Sequence, residues 1–144
     1  MISIRTPETE QEWEAYYDLR YRILRAPLNQ LRGSERNEGD VTGIHFALYK
    51  HHSLIAVARL DKLDHNVFQA RWVAVENNQQ GKGYGKLIME AMEAKVNALG
   101  GKSIMLQARD YAVDFYLKLG YTVIAPSFKL FDVLQHFEMK KELC

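Results

Sequence analysis

Cysteine is nearly missing from this chain. Its single occurrence, Cys144, has no partner for a disulfide, which excludes a disulfide framework and makes a reducing compartment the expectation. Proline occurs three times, at Pro7, Pro27 and Pro126, too sparsely for a polyproline linker and suited instead to punctuating elements. No apolar run approaches the ~18 residues that a membrane-spanning helix needs. The start Met1-Ile2-Ser3-Ile4-Arg5 lacks the apolar core of a secretion signal, so a cytoplasmic protein with no membrane partner is expected. Charge of one sign is lacking too: 19 basic against 18 acidic side chains set up no overall field to recruit nucleic acid or anionic lipid. Among the five histidines, the adjacent pair His51-His52 cannot share a helix face. No cluster has metal-ligand spacing, so no metal is expected.

What is present is the mixture of a soluble globular protein, 47% hydrophobic and 26% charged. A length of 144 residues suffices for one sizeable core and is short for two, so 1–144 reads as a single domain.

Ile2 to Arg5 alternates as a short edge strand. Thr6 offers an N-cap and Pro7 suits a first helical position. Trp13, Tyr16, Tyr17, Ile23 and Leu24, with Arg20 on the same line, recur at helical spacing up to Pro27. Residues 26–42 carry no period and read as a long loop with a second short helical piece, a candidate lid over an acceptor substrate. Ile44–Tyr49 and Leu54–Leu60 read as an antiparallel hairpin, followed by a turn and the strand Val67–Val75.

After the glycine loop that follows, a helix shows Ile88, Met92, Lys95, Val96 and Leu99 on one line, with Leu87 and Ala91 beside it, and stops at Gly100-Gly101. Ser103–Gln107 reads as a strand parallel to the one before the loop. Asp110 can cap a helix with Ala112, Phe115, Tyr116 and Leu119 on its apolar face, ended by Gly120. Tyr121–Ile124 is a strand, Pro126 interrupts, and Phe128–Lys140 alternates as the last strand, one or two pieces long. The fold class is therefore mixed α/β.

The stretch Arg71 to Leu87 organises the rest. A β-branched and aromatic strand runs through an Asn/Gln turn into a loop with glycine at alternate positions, Gly81, Gly83 and Gly85. Glycines there let the backbone approach a ligand, and the free N–H groups of the next helix, with its dipole behind them, favour an anion. Lys82 and Lys86 add positive charge. A nucleoside triphosphate loop would need Ser or Thr directly after Gly-Lys, where this chain has Gly83 and Leu87. A dinucleotide loop would need a third glycine where Lys86 stands.

The remaining pattern, Gln80, Gly83 and Gly85 following Val73-Ala74-Val75, resembles the acetyl-coenzyme A pyrophosphate loop of the GNAT acetyltransferase superfamily. The later segment Ala112-Val113-Asp114-Phe115-Tyr116-Leu117-Lys118-Leu119-Gly120-Tyr121 is similar to a second element of the same family, with Tyr121 where Phe is common. A narrower likeness lies in Tyr16 to Leu28, followed by Gly33-Ser34-Glu35-Arg36. It resembles the acetyltransferase half of a bacterial protein that also carries a hotdog thioesterase-like domain, and a stand-alone version of that half is the expectation.

The resemblance implies a mostly antiparallel sheet with a central, splayed parallel pair, the splay falling between the strand ending at Val75 and Ser103–Gln107. It implies acetyl-coenzyme A as co-substrate and direct attack on its thioester by the amine of a small molecule or peptide. The main chain of Val73, Ala74 and Val75 would hold the pantetheine, and Gln80, Gly81, Lys82, Gly83, Tyr84, Gly85 and Lys86 would surround the pyrophosphate. Tyr116 would protonate the leaving thiolate, as a phenol of pKa ~10 can at neutral pH.

The position aligned with a base glutamate of some relatives is Gln69, so His45, Asp61, His136 or water is left to take the amine's proton. The last strand offers a contact for a homodimer. Two other functions fit the same motifs: a non-catalytic acyl-coenzyme A sensor, which needs the loop but not Tyr116, and acyl transfer to a non-amine acceptor. Gly83→Val is expected to abolish acetyl-coenzyme A binding in calorimetric titration while circular dichroism stays native. Unchanged affinity in a folded variant would remove the loop from the site.

Overall fold

The computed structural model describes residues 1–143. Cys144, on which the redox expectation rests, lies outside them. Along the described chain the order is β1 (Ile2–Arg5), α1 (Glu10–Leu24), β2 (Ile44–Lys50), β3 (Ser53–Lys62), β4 (Val67–Val75), α2 (Tyr84–Ala98), β5 (Ser103–Arg109), α3 (Val113–Lys118), β6 (Thr122–Leu130) and β7 (Leu134–Glu142). The strands are mostly antiparallel with one parallel pair, the mixed α/β class expected. Two compact units divide the chain. Among the described residues, the first takes Met1–Asp61 and Ala70–Met92, the second Lys62–Gln69 and residues 93–143.

In the first unit β2 pairs antiparallel with both β1 and β3. The hairpin turns on His51 and His52, both left-handed at φ 51° and 70°, as a tight two-residue connection demands. The helix α1 starts three residues later than the Thr6 cap predicts. Thr9 is the N-cap, its hydroxyl accepting from the Glu12 N–H at 3.1 Å while the Glu12 carboxylate accepts from the Thr9 N–H. This reciprocal pair satisfies two orphan donors at once. Thr6 is engaged elsewhere, its hydroxyl donating to the His45 carbonyl at 2.9 Å. Tyr16, Leu19 and Leu24 of α1 pack with Ala47, Tyr49, Val57 and Ala74, and Trp13, Tyr17, Ile23, Leu54 and Trp72 close the rim.

Arg20 and Arg59 are each 0% exposed, and a guanidinium cut off from water must find protein acceptors. The segment between α1 and β2 supplies most of them. Arg20 donates to the Glu35 carbonyl and to Asp40 Oδ1, both at 2.9 Å. Arg59 donates to Asn37 Oδ1 at 2.7 Å and Asp40 Oδ1 at 2.9 Å, and its Nε and Nη2 fork the Asp61 carboxylate at 2.8 Å each. A Cβ on Gly39 or Gly43 would fall 2.6 Å from the Arg59 side chain, so the chain passes there only as glycine. The expected lid thus carries two 3₁₀ turns, Ala26–Leu28 and Glu38–Asp40, and is fastened to buried cations near its C-terminal end.

In the second unit β7 lies between β5 and β6, antiparallel to both. The stretch Phe128–Lys140 is therefore not one strand. It is a hairpin whose turn places Phe131 and Asp132 at φ 52° and 60°, and β6 runs straight through Pro126. A proline is tolerated there because β6 is the outer strand, and its ladder to β7 shifts register at Val123/Ala125 and Pro126/Lys129. The last strand, expected to offer a dimer contact, has both edges paired. Asp110 does not cap α3: it opens a separate 3₁₀ turn, and the α3 cap position is Ala112 with no side-chain bond. In α2 the buried line is Ile88, Met89, Met92 and Val96, whereas Leu87, and Leu99 just past its end, are exposed.

Asp40 compensates both buried guanidiniums, so Asp40→Ala is expected to cost about 3–5 kcal/mol, the usual penalty for leaving a buried charge unpaired. Thr9→Ala removes one cap and should cost about 1 kcal/mol. Urea unfolding of the two variants checks the order.

Candidate active site

The site is built where β4 gives way to α2. Trp72, inside β4, takes φ 57°, a left-handed value that a bulky residue adopts only under constraint. Its backbone departs locally from the extended conformation of the strand around it. Ala74 fills the core, while Val73 and Val75 are only half-buried. The strand's exit is pinned: the Glu76 N–H donates to the Ile55 carbonyl at 2.8 Å, and Arg22 of α1 forks the Glu76 carboxylate at 2.8 and 3.1 Å. Gln80 turns back, its amide donating to the Val75 carbonyl at 3.0 Å.

Beyond Gln80 the loop opens. Gly81 and Gly83 are left-handed at φ 77° and 91°, and a Cβ on either would meet nothing within 4 Å. Helix α2 begins at Tyr84 with no acidic residue in its first turn, so Gly85 and Lys86 belong to the helix rather than the loop. Among the described residues, the N–H groups of Gly83, Tyr84, Gly85 and Lys86 have no acceptor, and the first main-chain bond is Leu87 N–H to the Gly83 carbonyl at 3.1 Å. Lys82 and Lys86 are exposed. Tyr84 is buried, and its hydroxyl accepts from Lys50 Nζ of β2 at 2.9 Å. This fits a diphosphate: donors and the positive helix pole face open space with no carboxylate in the first turn.

Tyr116 sits on α3 in the second unit. It is 7% exposed, with its ring against Phe115 at 4.9 Å and Tyr121 at 5.8 Å. Burial, and then the neighbouring Tyr111, push its pKa above the usual phenol value, so it is protonated at neutral pH. Among the described residues its hydroxyl has no hydrogen-bond partner. Tyr121 differs, donating to Glu93 at 2.8 Å.

Residues 29–143 match the family described as the acetyltransferase (GNAT) domain. The chain belongs to the GNAT acetyltransferase family. A UPF0039 protein of Schizosaccharomyces pombe is 30% identical over 92 residues, covering 62% of this chain and 61% of its own length, less than two thirds of either. The fold is shared with ElaA of Escherichia coli, at a TM-score of 0.82 and 21% identity over 99% of this chain and 100% of that one. It is shared also with a GNAT family acetyltransferase of Elizabethkingia anophelis with acetyl-CoA bound, at 0.77 and 14% over 99% and 97%. No helix among the described residues is long and apolar enough to cross a membrane.

In this GNAT domain the side chains considered for the amine's proton are already engaged. His45 is buried, with one ring nitrogen 2.8 Å from the Tyr16 hydroxyl and the other 2.8 Å from the Asp40 carbonyl. A carbonyl only accepts, so Nε2 carries a hydrogen, and Nδ1 lies against the Tyr16 hydroxyl, which also donates to the Ala58 carbonyl at 3.0 Å. Asp61 is taken by both arms of Arg59. His136 is buried, stacked on Phe128 at 4.4 Å and bonded to the Leu134 carbonyl at 3.0 Å. Nothing in the sequence signalled the left-handed Trp72 or the Lys50–Tyr84 contact, since aromatic residues disfavour positive φ and the contact spans distant segments.

Burial lowers the His45 pKa below its ordinary 6.5, with the cations Arg20 and Arg59 adding to it against the Asp40 carbonyl. The unfolded chain therefore binds a proton there that the folded one refuses, and stability should fall as pH drops below 6.5. Urea midpoints between pH 7.5 and 5.5 should decline in the parent protein. The decline should be shallower in His45→Gln, whatever that variant loses at the upper pH.

Proposed function

We propose that residues 1–144, acting as one catalytic domain, move an acetyl group from acetyl-coenzyme A to an amine by direct attack on the thioester. The observation that carries this reading is the run of main-chain donors from Gly83 to Lys86 without protein acceptors, opening beside two glycines with nothing over them. The acetyl-CoA bound in the Elizabethkingia anophelis relative supports the co-substrate. The loop amides would take the pyrophosphate, with Lys82 and Lys86 adding charge and Gln80 at the entrance. The main chain of Val73, Ala74 and Val75 would hold the pantetheine.

The amine nitrogen bonds to the thioester carbonyl carbon, the C–S bond breaks, and the sulfur leaves as thiolate. Tyr116 is the proton donor to that sulfur, since its buried phenol remains protonated at the pH of catalysis. The amine's proton goes to water, His45, Asp61 and His136 being held by protein partners. The acceptor is a small molecule or a peptide. The stretch Tyr16–Leu28 relates this enzyme to the acetyltransferase half of the hotdog-thioesterase fusions.

Tyr116→Phe keeps the ring packing and removes only the hydroxyl. Turnover, followed as free thiol across a panel of amines, should drop roughly tenfold or more with the acetyl-coenzyme A KM little changed. Equal turnover in the two proteins would withdraw Tyr116 from the reaction.

A further inference from the structure

Around Trp72 of β4, hydrogen-bond donors outnumber acceptors. Arg20 and Arg59 already occupy the carboxylates of Asp40 and Asp61, and Glu35 is matched by Arg36 at 3.4 Å. Arg71, directly before Trp72, is a third guanidinium. It is exposed, and among the described residues no carboxylate lies within ion-pair distance of it.

Protein atoms crowding Arg71, and then the like charge of Arg59, lower its pKa, with Arg20 adding to this and Asp61 and Asp40 opposing it. Arg20 and Arg59 thus hold the two carboxylates between them, and among the described residues the positive charge of Arg71 is left without an ion pair. Two further donors are buried without a partner, Nε of the wholly buried Arg20 and the indole Nε1 of Trp72. The ring of Trp72 lies under Arg20 at 4.7 Å and under Arg25 at 4.5 Å. Unmatched buried donors carry a desolvation cost that protein groups normally relieve. Here nothing in the first unit relieves it.

We propose that Arg71 binds a carboxylate of the acceptor, so that the amine acetylated by this enzyme belongs to an amino acid or another acid-bearing amine. The inference rests on the acetyl-transfer reading above. A guanidinium presents its donors as a planar fork that a carboxylate fits bidentately, and a monoanion balances the charge of Arg71. The specificity is for the acid group and leaves the side chain of the acceptor open.

Matched acceptors that differ only in the carboxylate test this: tyrosine against tyramine, arginine against agmatine, lysine against cadaverine and histidine against histamine. Followed as thiol release, kcat/KM should favour the acid member by roughly tenfold or more in at least one pair. Arg71→Gln should bring the two members together through KM rather than kcat. No preference for the acid member, or a preference that survives Arg71→Gln, overturns the proposal. So does a rise in the acetyl-coenzyme A KM of the variant, which would assign Arg71 to the co-substrate.

If no compound releases thiol, the acetyl-transfer reading is what fails for these amines, and the carboxylate site is read by binding alone. The Trp72 indole N–H resonance, assigned by its loss in Trp72→Phe, should move on titration with the acid members and not the neutral ones. It should stay still in Arg71→Gln. No movement with any acid member overturns the site.

Discussion

The guanidiniums of Arg20 and Arg59 are closed off from water, and most of the hydrogen bonds they make go to the aperiodic segment between α1 and β2. Asp40 serves both of them, Asp61 is forked by Arg59, and the Glu35 carbonyl, the Asn37 side chain and the Tyr16 hydroxyl complete the set. Burying such charges stabilises little in net terms, because desolvation offsets most of the attraction. What the arrangement secures is position. The aperiodic stretch after α1 is drawn down onto β3, and Tyr16 and His45 are locked by hydrogen bonds that leave neither free for proton transfer.

The loop after β4 follows the opposite logic. There the polypeptide leaves donors exposed rather than consuming them. Gly81 and Gly83 adopt conformations that side chains resist, α2 starts without an acidic residue, and lysines at 82 and 86 add to the positive helix pole instead of cancelling it. An isolated helix would be better off with a carboxylate in that turn. Its absence is understandable when the anion is to come from a ligand, and the same argument applies on a smaller scale to the donor surplus around Arg71 and Trp72.

In the proposed reaction Tyr116 would serve packing and chemistry together. Its ring is held against Phe115 and Tyr121, so burial both orients the phenol and keeps it protonated. Tyr121, its neighbour in that aromatic group, spends its hydroxyl on Glu93, which also receives Lys141. The two phenols therefore differ in availability although both are buried in one hydrophobic setting.

Local rules were enough for much of this. Alternation and β-branching marked β4 from Val67 to Val75 to the residue, because strand periodicity is a property of neighbouring residues, and Gln80, Gly83 and Gly85 with the Ala112–Tyr121 element pointed to a GNAT domain by their resemblance to that family. Where two local signals competed, the sequence alone chose badly. Thr6 and Pro7 signalled a helix start that the reciprocal bonds of Thr9 with Glu12 place three residues later, and Pro126 looked like a strand break until β6 proved to be an outer strand. The left-handed Trp72, the clamp of Arg20 and Arg59 on Asp40, the Lys50–Tyr84 contact and the unpaired fork of Arg71 were decided only by tertiary structure. Each depends on which distant groups are brought together and which are shut away from water, and no periodicity along the chain encodes that.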